Sequence, residues 1–104
     1  MRDFMAYYDR QGNSISMEQW GDLRKDKVVE QTRVVSQMVS TVWLGMDHNY
    51  RMDDSPPLIF ETMVFHIKED GEWDFSSDYC ERYSTEEEAM AGHLRAVEEF
   101  QGRT

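Results

Sequence analysis

Residues 28–45 read VVEQTRVVSQMVSTVWLG, and this stretch decides the fold. Both of its halves are rich in β-branched side chains and mostly apolar, which is typical of β-strands. We expect two strands, Val28–Val35 and Met38–Gly45, joined by a tight turn at Ser36–Gln37. An antiparallel hairpin is therefore the first part of the predicted sheet.

The next predicted strand is Leu58–Ile67, which carries apolar residues on both faces. A strand of this kind is expected in the middle of a sheet, or between a helix and a partner. Asp70-Gly71 is a hairpin signal, because both residues tolerate the backbone angles of tight turns. It leads into a last predicted strand, Trp73–Tyr83, and a short strand at Phe4–Tyr8 opens the chain.

Two helices are predicted, and each begins at a capping box, in which two residues three positions apart bond each other's backbone N–H groups. The first box is Ser16–Gln19 and predicts a helix over Met17–Asp26. The second is Ser84–Glu87 and predicts a helix over Thr85–Gln101. Helical periodicity gives each helix an inward-facing set of residues. The expected sets are Trp20 and Leu23, then Met90, His93, Leu94, Val97 and Phe100.

These elements form a single compact α+β domain over residues 1–104, in the order β-α-β-β-β-β-α. We expect a mostly antiparallel sheet of about four to five strands with two helices packed on it. No apolar run approaches the ~20 residues that cross a bilayer, and Met1–Met5 lacks the features of a signal peptide. One cysteine, Cys80, excludes an internal disulfide and fits a reducing cytoplasm.

Negative charge is concentrated in the C-terminal half of the chain. Lys and Arg total 11 and Asp and Glu total 21, so the net charge is −10. Residues 1–52 hold equal numbers of acids and bases, and the whole excess falls in residues 53–104. The densest part, residues 69–88, holds nine acids and one base, Arg82. Such a field repels phosphate and anionic lipid, which disfavours direct nucleic-acid or membrane binding, and it attracts basic surfaces.

The acidic stretch has two interpretations. In the simpler one, it is a solvated face that keeps a small protein soluble. In the other, closely spaced carboxylates imitate the phosphates of duplex DNA, which carries about one charge per 1.7 Å of its axis. A protein groove that normally holds DNA or RNA would then accept the acidic face instead.

Metal-ligating and nucleophilic residues form no recognisable motif. His66 and His93 show no ligand spacing, and we interpret them as partly buried histidines with bonded rings. Cys80 lies in a strand pattern, which favours a buried thiol over a nucleophile. No glycine-rich phosphate loop or nucleophile elbow is present. We therefore predict no catalytic residues, no metal and no cofactor, and a protein that is not an enzyme.

An alternative site centres on the polar loop Asp47–Pro57. Asp47, His48, Glu61 and His66 would then line a pocket for a small ligand or a metal, or the active site of an enzyme. Aromatic residues indicate a different use, because Tyr and Trp are favoured anchors at protein interfaces. Tyr50 lies in the same loop with little to pack on, and Trp73 lies within the acidic stretch, so these two are the anchor candidates.

Several runs of this sequence resemble small hypothetical proteins of tailed phages. The runs are VSTVWLGMDH at residues 39–48, PPLIFETMVF at 56–65, CERYST at 80–85 and YYDRQG at 7–12, together with Glu88-Ala89 and Gly92-His93. The resemblance covers most of the chain. No established activity accompanies this group, so the resemblance implies no catalytic residues. Small acidic phage proteins often bind host machinery, such as restriction enzymes, CRISPR effectors and polymerase, which is an analogy of class.

The resulting hypothesis is a non-enzymatic phage accessory protein in the host cytoplasm. It binds and inhibits a host protein with a basic nucleic-acid-binding groove, for example in an anti-CRISPR or anti-restriction role. A homodimer is a further expectation, and a virion or assembly component is a remaining alternative. The predicted partner-binding residues are Asp70, Glu72, Asp74, Asp78, Glu81, Glu86, Glu87 and Glu88, with Tyr50 and Trp73 as anchors.

Overall fold

The computed structural model describes residues 6–46, 56–74 and 79–103. Its elements are β1 (Tyr7–Tyr8), β2 (Ser14–Ile15), α1 (Met17–Leu23), β3 (Val28–Val34), β4 (Gln37–Trp43), β5 (Phe60–Ile67), β6 (Trp73–Asp74), β7 (Cys80–Tyr83) and α2 (Glu86–Gly102). A short 3₁₀ turn, Arg24–Asp26, continues α1. This is the predicted α+β fold, with two helices and a mostly antiparallel sheet.

Five strands form the main sheet, in the spatial order β3-β4-β5-β6. The strands β6 and β7 both pair with the side of β5 that is not paired with β4. The strand β7 pairs with Phe60–Met63, and β6 pairs with His66 and Ile67. The prediction of one continuous strand over Trp73–Tyr83 is therefore wrong, because the described parts of this stretch form two short strands. The central position predicted for β5 is confirmed, since it has neighbours on both sides.

The turn between β3 and β4 lies at Val35 and Ser36, one residue earlier than predicted, because Val34 pairs with Gln37. Val35 has φ 56°, which lies in the left-handed region. A β-branched side chain is strained there, because its Cβ substituents crowd the backbone.

Replacing Val35 with asparagine is expected to raise the free energy of unfolding by about 0.5–1 kcal/mol, because asparagine tolerates the left-handed region. Val35 is 67% exposed, so little packing is lost. Urea denaturation measures the change. Val35→Ala also removes the β-branched side chain but lacks the polar group by which asparagine tolerates the left-handed region, and is the control. An equal gain in both variants would assign the effect to the removal of the exposed apolar side chain.

The helix α2 covers one face of the sheet, which we call the helix face. Near the start of α2, Ala89 lies in one core cluster with Trp43 and Phe60. Near its end, Phe100 lies in a second cluster with Val64. The helix therefore runs along β5, from the end near Phe60 towards the end near Ile67. The opposite face carries Val42, Met63 and Phe65, and we call it the second face.

Helix boundaries and faces follow the sequence with two corrections. The box at Ser16 and Gln19 is confirmed, but α2 is capped by Thr85 with Glu88, one residue later than predicted. Leu94 and Leu23 were expected to face inward and are 58% and 45% exposed. In α2, small residues allow the helix to approach the sheet closely. The residues that face the sheet are therefore a different set from the predicted one, and Leu94 lies outside that set. The buried residues are Ala89, Gly92, His93, Ala96, Val97 and Phe100.

Within the described ranges, the structure contains no helix that is long and apolar enough to cross a bilayer.

Candidate protein-binding surface

The turn between β5 and β6 is held by three backbone donors. The Lys68 N–H donates to the Glu72 carbonyl (2.8 Å), and the Gly71 N–H donates to the Lys68 carbonyl (2.9 Å). The Glu72 N–H donates to Asp70 Oδ1 at 2.9 Å. Gly71 has φ 88°, which favours glycine. The hairpin predicted from Asp70-Gly71 is confirmed, and its acidic residues are placed by a defined turn.

Trp73 lies on the second face and is supported by an aromatic neighbour. It pairs with Ile67 across the strands, and its ring packs on Phe65 with the centroids 5.3 Å apart. It remains 39% exposed. Asp74, the next residue, pairs with His66 and so projects towards the helix face.

We call Asp70, Glu72, Asp74 and Trp73 the acidic hairpin. All four residues are exposed. Among the described residues, none of the three carboxylates forms an ion pair; the pairs present involve other acids. The acidic hairpin therefore presents negative charge that the fold does not neutralise, together with an exposed aromatic ring on the second face.

The acids at the start of α2 are largely used by the fold. Glu86 Oε1 lies 3.4 Å from Arg10 Nη1. Glu88 Oε1 accepts the Thr85 N–H at 3.2 Å, which completes the capping box. Glu87 is exposed and makes neither type of contact in the described structure. All three favour helix initiation, because carboxylates stabilise the positive end of the helix dipole.

Glu81 on β7 is also engaged. Its Oε1 lies 3.2 Å from Arg95 Nη2, and its Oε2 accepts the Tyr79 hydroxyl at 3.1 Å. Burial, together with this hydrogen bond and the charge of Glu81, raises the pKa of Tyr79 to about 12. The Tyr79 hydroxyl therefore stays protonated and keeps donating to Glu81.

The predicted acidic residues lie at two ends of the molecule. The acidic hairpin follows the Ile67 end of β5, and Glu86, Glu87 and Glu88 follow the strand that pairs with its Phe60 end. An eight-residue strand is about 24 Å long at ~3.4 Å per residue. The described carboxylates therefore form two clusters separated by the Glu81–Arg95 pair. Tyr50 and Asp78 lie outside the described residues.

A cavity of about 480 Å³ extends across the second face from Trp73 and Phe65 to Trp20. Arg24 and Lys27 line its far side. The Trp20 indole N–H donates to the Leu44 carbonyl at 2.9 Å, and the Arg24 guanidinium lies 4.8 Å from the Trp20 ring centre. Sequence reasoning missed this cavity, because alternation separates the two faces of a strand but does not say which face the helix covers.

The alternative site is divided by the sheet. Asp47 and His48 lie outside the described residues. Glu61 and His66 are five positions apart on β5, so they project from opposite faces and lie about 17 Å apart along the strand. Glu61 Oε2 accepts the Arg82 Nε–H at 2.9 Å, and Cys80 Sγ lies 3.3 Å from the same oxygen.

Cys80 is exposed, contrary to the predicted burial, because it stands at the start of the edge strand β7. Partial burial of the thiol, followed by its hydrogen bond to Glu61, raises the pKa of Cys80. A raised pKa keeps the thiol protonated near neutral pH, which is unsuited to a nucleophile.

His93 belongs to a buried polar network between α2 and the sheet. The ring is 1% exposed, with Nε2 2.8 Å from Thr32 Oγ1 and Nδ1 2.8 Å from Thr41 Oγ1. Thr41 Oγ1 lies 2.5 Å from Thr62 Oγ1, which also accepts the Tyr83 hydroxyl at 3.1 Å. Burial lowers the pKa of His93. The predicted bonded ring of His93 is confirmed, but the ring is fully buried and not partly buried as expected, because α2 packs it against the sheet.

No group of three or more His, Cys, Asp or Glu side chains in the described ranges is arranged to hold a metal ion. No protein-family model matches this sequence, and comparisons with curated proteins and with solved structures found no significant match. A functional proposal for this chain therefore depends on the charge, exposure and packing of its surface residues.

Proposed function

We propose that this chain is a non-enzymatic phage protein that inserts its acidic hairpin into the basic groove of a host nucleic-acid-targeting defence protein and inhibits it. One observation carries the proposal: Asp70, Glu72 and Asp74 have no ion pairs among the described residues, and they share one hairpin with Trp73, which is 39% exposed and projects to the face opposite Asp74. Tryptophan is enriched among the few residues that dominate protein interfaces, and carboxylates without ion pairs are available to a basic partner.

A groove that binds phosphates suits this surface for electrostatic reasons. Its Lys and Arg side chains donate charge-assisted hydrogen bonds, which carboxylates accept as phosphates do. Opposite charge also accelerates association and selects among partners. Trp73 contributes apolar contact that phosphates lack, and Phe65 holds the ring in place. The acidic hairpin would therefore compete with nucleic acid for the same groove.

The distance between the two acidic clusters determines how long a groove must be to contact both of them. About 24 Å corresponds to about seven base-pair steps of 3.4 Å. A groove of that length contacts the acidic hairpin and Glu87 together, whereas a shorter groove contacts one cluster. The acidic hairpin is the primary contact, because Glu86 and Glu88 already have partners within the fold.

The triple variant Asp70→Lys, Glu72→Lys, Asp74→Lys tests the proposal. Tagged wild-type chain is expected to retain a nucleic-acid-binding protein from nuclease-treated host lysate, and added duplex DNA is expected to release it. Binding of the purified partner should be at least about tenfold weaker for the triple variant. It should also weaken steeply as salt rises, because exposed charges are screened. Mass spectrometry identifies the partner, and calorimetric titration measures the affinity.

The matched control is Glu18→Lys, Asp22→Lys, Glu98→Lys. These acids are exposed and unpaired in the described structure, and their reversal changes the net charge equally. The control should bind the partner within about twofold of wild type. An equal loss of affinity in both triple variants would mean that overall charge, and not the acidic hairpin, determines binding. If duplex DNA does not displace the captured protein, that result would contradict the proposed inhibition.

A further inference from the structure

Among the strands that the structure describes, β3 is the longest with an unpaired edge. It spans seven residues and pairs with β4 on one side, and no described strand pairs its other side. In an antiparallel ladder, alternate residues direct their N–H and C=O groups to opposite sides, so about half of these groups on β3 point outward. Arg10 Nη2 bonds the Val28 carbonyl at 3.1 Å, and the Gln31 N–H bonds the adjacent Glu30 carboxylate at 3.1 Å. The remaining edge is a template for another strand.

Exposed apolar side chains accompany this edge. Val28 and Val35, at the two ends of β3, are 46% and 67% exposed. Leu94 on α2 is 58% exposed. A Cβ on Gly92 would meet Tyr83, so this position of α2 faces β7. Leu94 is two residues later, about 200° further round the helix. Its side chain is therefore directed to the other flank of α2, near β3. Three exposed aliphatic residues thus border one unpaired strand.

Charge distinguishes this edge from the rest of the molecule. The net charge of the chain is −10, but residues 27–35 hold only Lys27, Glu30 and Arg33 as charged residues. A basic partner is drawn to the acidic hairpin, on the opposite side of the sheet, and has no such attraction here. A second copy, in contrast, is repelled by the acidic side and can approach at this edge, where two bases and one acid give a net charge of +1.

We propose that two copies of this chain associate through β3, pairing antiparallel about a twofold axis to form one continuous sheet. An axis near Gln31 or Thr32 avoids placing Glu30 opposite Glu30 or Arg33 opposite Arg33 of the partner. Both α2 helices then lie on the same side of the joined sheet, with the two Leu94 flanks facing each other. The exposed valines also gain partners.

The dimer leaves both acidic hairpins accessible. From β6 of one copy to β6 of the other there are seven strand spacings, or about 34 Å at ~4.8 Å each. This exceeds the screening length of about 8 Å at physiological salt, so the two hairpins do not repel strongly. The assembly goes beyond the proposed function and does not depend on it.

Sedimentation velocity of the purified full chain, over about a hundredfold range of concentration, tests the dimer. Wild type is expected to form dimers at the upper end. Leu94→Lys should weaken association about tenfold or more, because a charge replaces an exposed aliphatic contact. Gln31→Pro should abolish it, because proline blocks an edge strand. Met17→Lys adds the same charge at a site on α1 that is 62% exposed, and should leave the dimer intact.

Two results would overturn the proposal: a monomer throughout the range, or a dimer that neither Leu94→Lys nor Gln31→Pro weakens. Leu94 is on an exposed helix surface, so its variant reports association even if Gln31→Pro unfolds. The Asp70→Lys, Glu72→Lys, Asp74→Lys variant should remain dimeric, and Leu94→Lys should still bind the captured partner. Failure of the dimer and failure of the proposed function are therefore seen separately.

Discussion

Replacing His93 with alanine is expected to lower the free energy of unfolding by about 3–5 kcal/mol. The substitution removes a large buried side chain, leaves a cavity under α2, and takes a hydrogen-bond partner from each of Thr32 and Thr41. The Thr41 bond lies in the interior, where water does not compensate its loss, whereas Thr32 is half-buried. Urea denaturation followed by circular dichroism measures the change.

The proton positions in the network explain why a neutral ring is required. Tyr83 donates to Thr62, and one assignment of the remaining protons then satisfies every member: Thr62 donates to Thr41, and Thr41 donates to Nδ1 of His93. The proton of the neutral ring then sits on Nε2 and is donated to Thr32. A second ring proton on Nδ1 would oppose the Thr41 donor, so every member is satisfied in the neutral form.

Stability of the wild type is consequently expected to fall as the pH drops below about 6.5. Burial lowers the pKa of His93 in the folded chain, and the nearby charge of Glu30 only partly opposes this. Below the ordinary pKa, the unfolded chain binds a proton that the folded chain does not, so the stabilisation is complete above that pH and is lost on acidification.

The control for both effects is His66→Ala. His66 is half-buried at the end of β5, so its replacement should cost less than about 1 kcal/mol. It should also keep the pH dependence near neutrality, whereas His93→Ala should remove it. A pH profile that is unchanged in His93→Ala would show that another group is responsible.

Local patterns were enough to predict the elements around the site. The β3–β4 hairpin, the strand β5, the Asp70-Gly71 turn and both helices follow from β-branched and apolar runs, turn residues and capping boxes. Each of these signals depends on neighbours in the chain, which the sequence displays directly. The α+β class could therefore be predicted.

Side-chain environment was harder to predict, because it depends on distant neighbours. Leu94 fits the helical period, but Gly92 and Ala96 allow α2 to approach the sheet with a different line of residues. The acids of residues 69–88 are adjacent in sequence, yet β5 separates them into two clusters. Their ion pairs with Arg10 and Arg95 also link residues far apart in the chain.

Replacing Gly92 with alanine is the second large effect, and we expect a loss of about 2–3 kcal/mol in the free energy of unfolding. A Cβ on Gly92 would overlap the Oη, Cε1 and Cζ atoms of Tyr83. The Tyr83 ring is 5% exposed and its hydroxyl is bonded to Thr62, so it cannot move aside cheaply. The helix must shift away from β7, and the shift loosens the contacts of Ala89 and His93 with the sheet.

Gly21→Ala provides the matched comparison, because Gly21 is also helical and a Cβ there would meet nothing within 4 Å. Alanine has the higher helix propensity, so this variant should gain about 0.5–1 kcal/mol. The same propensity gain acts at Gly92, and the difference between the two variants therefore isolates the packing cost. Equal gains would mean that Tyr83 is not packed against α2. A loss at Gly92 alone would establish that glycine is required for the close approach that rotates Leu94 outward.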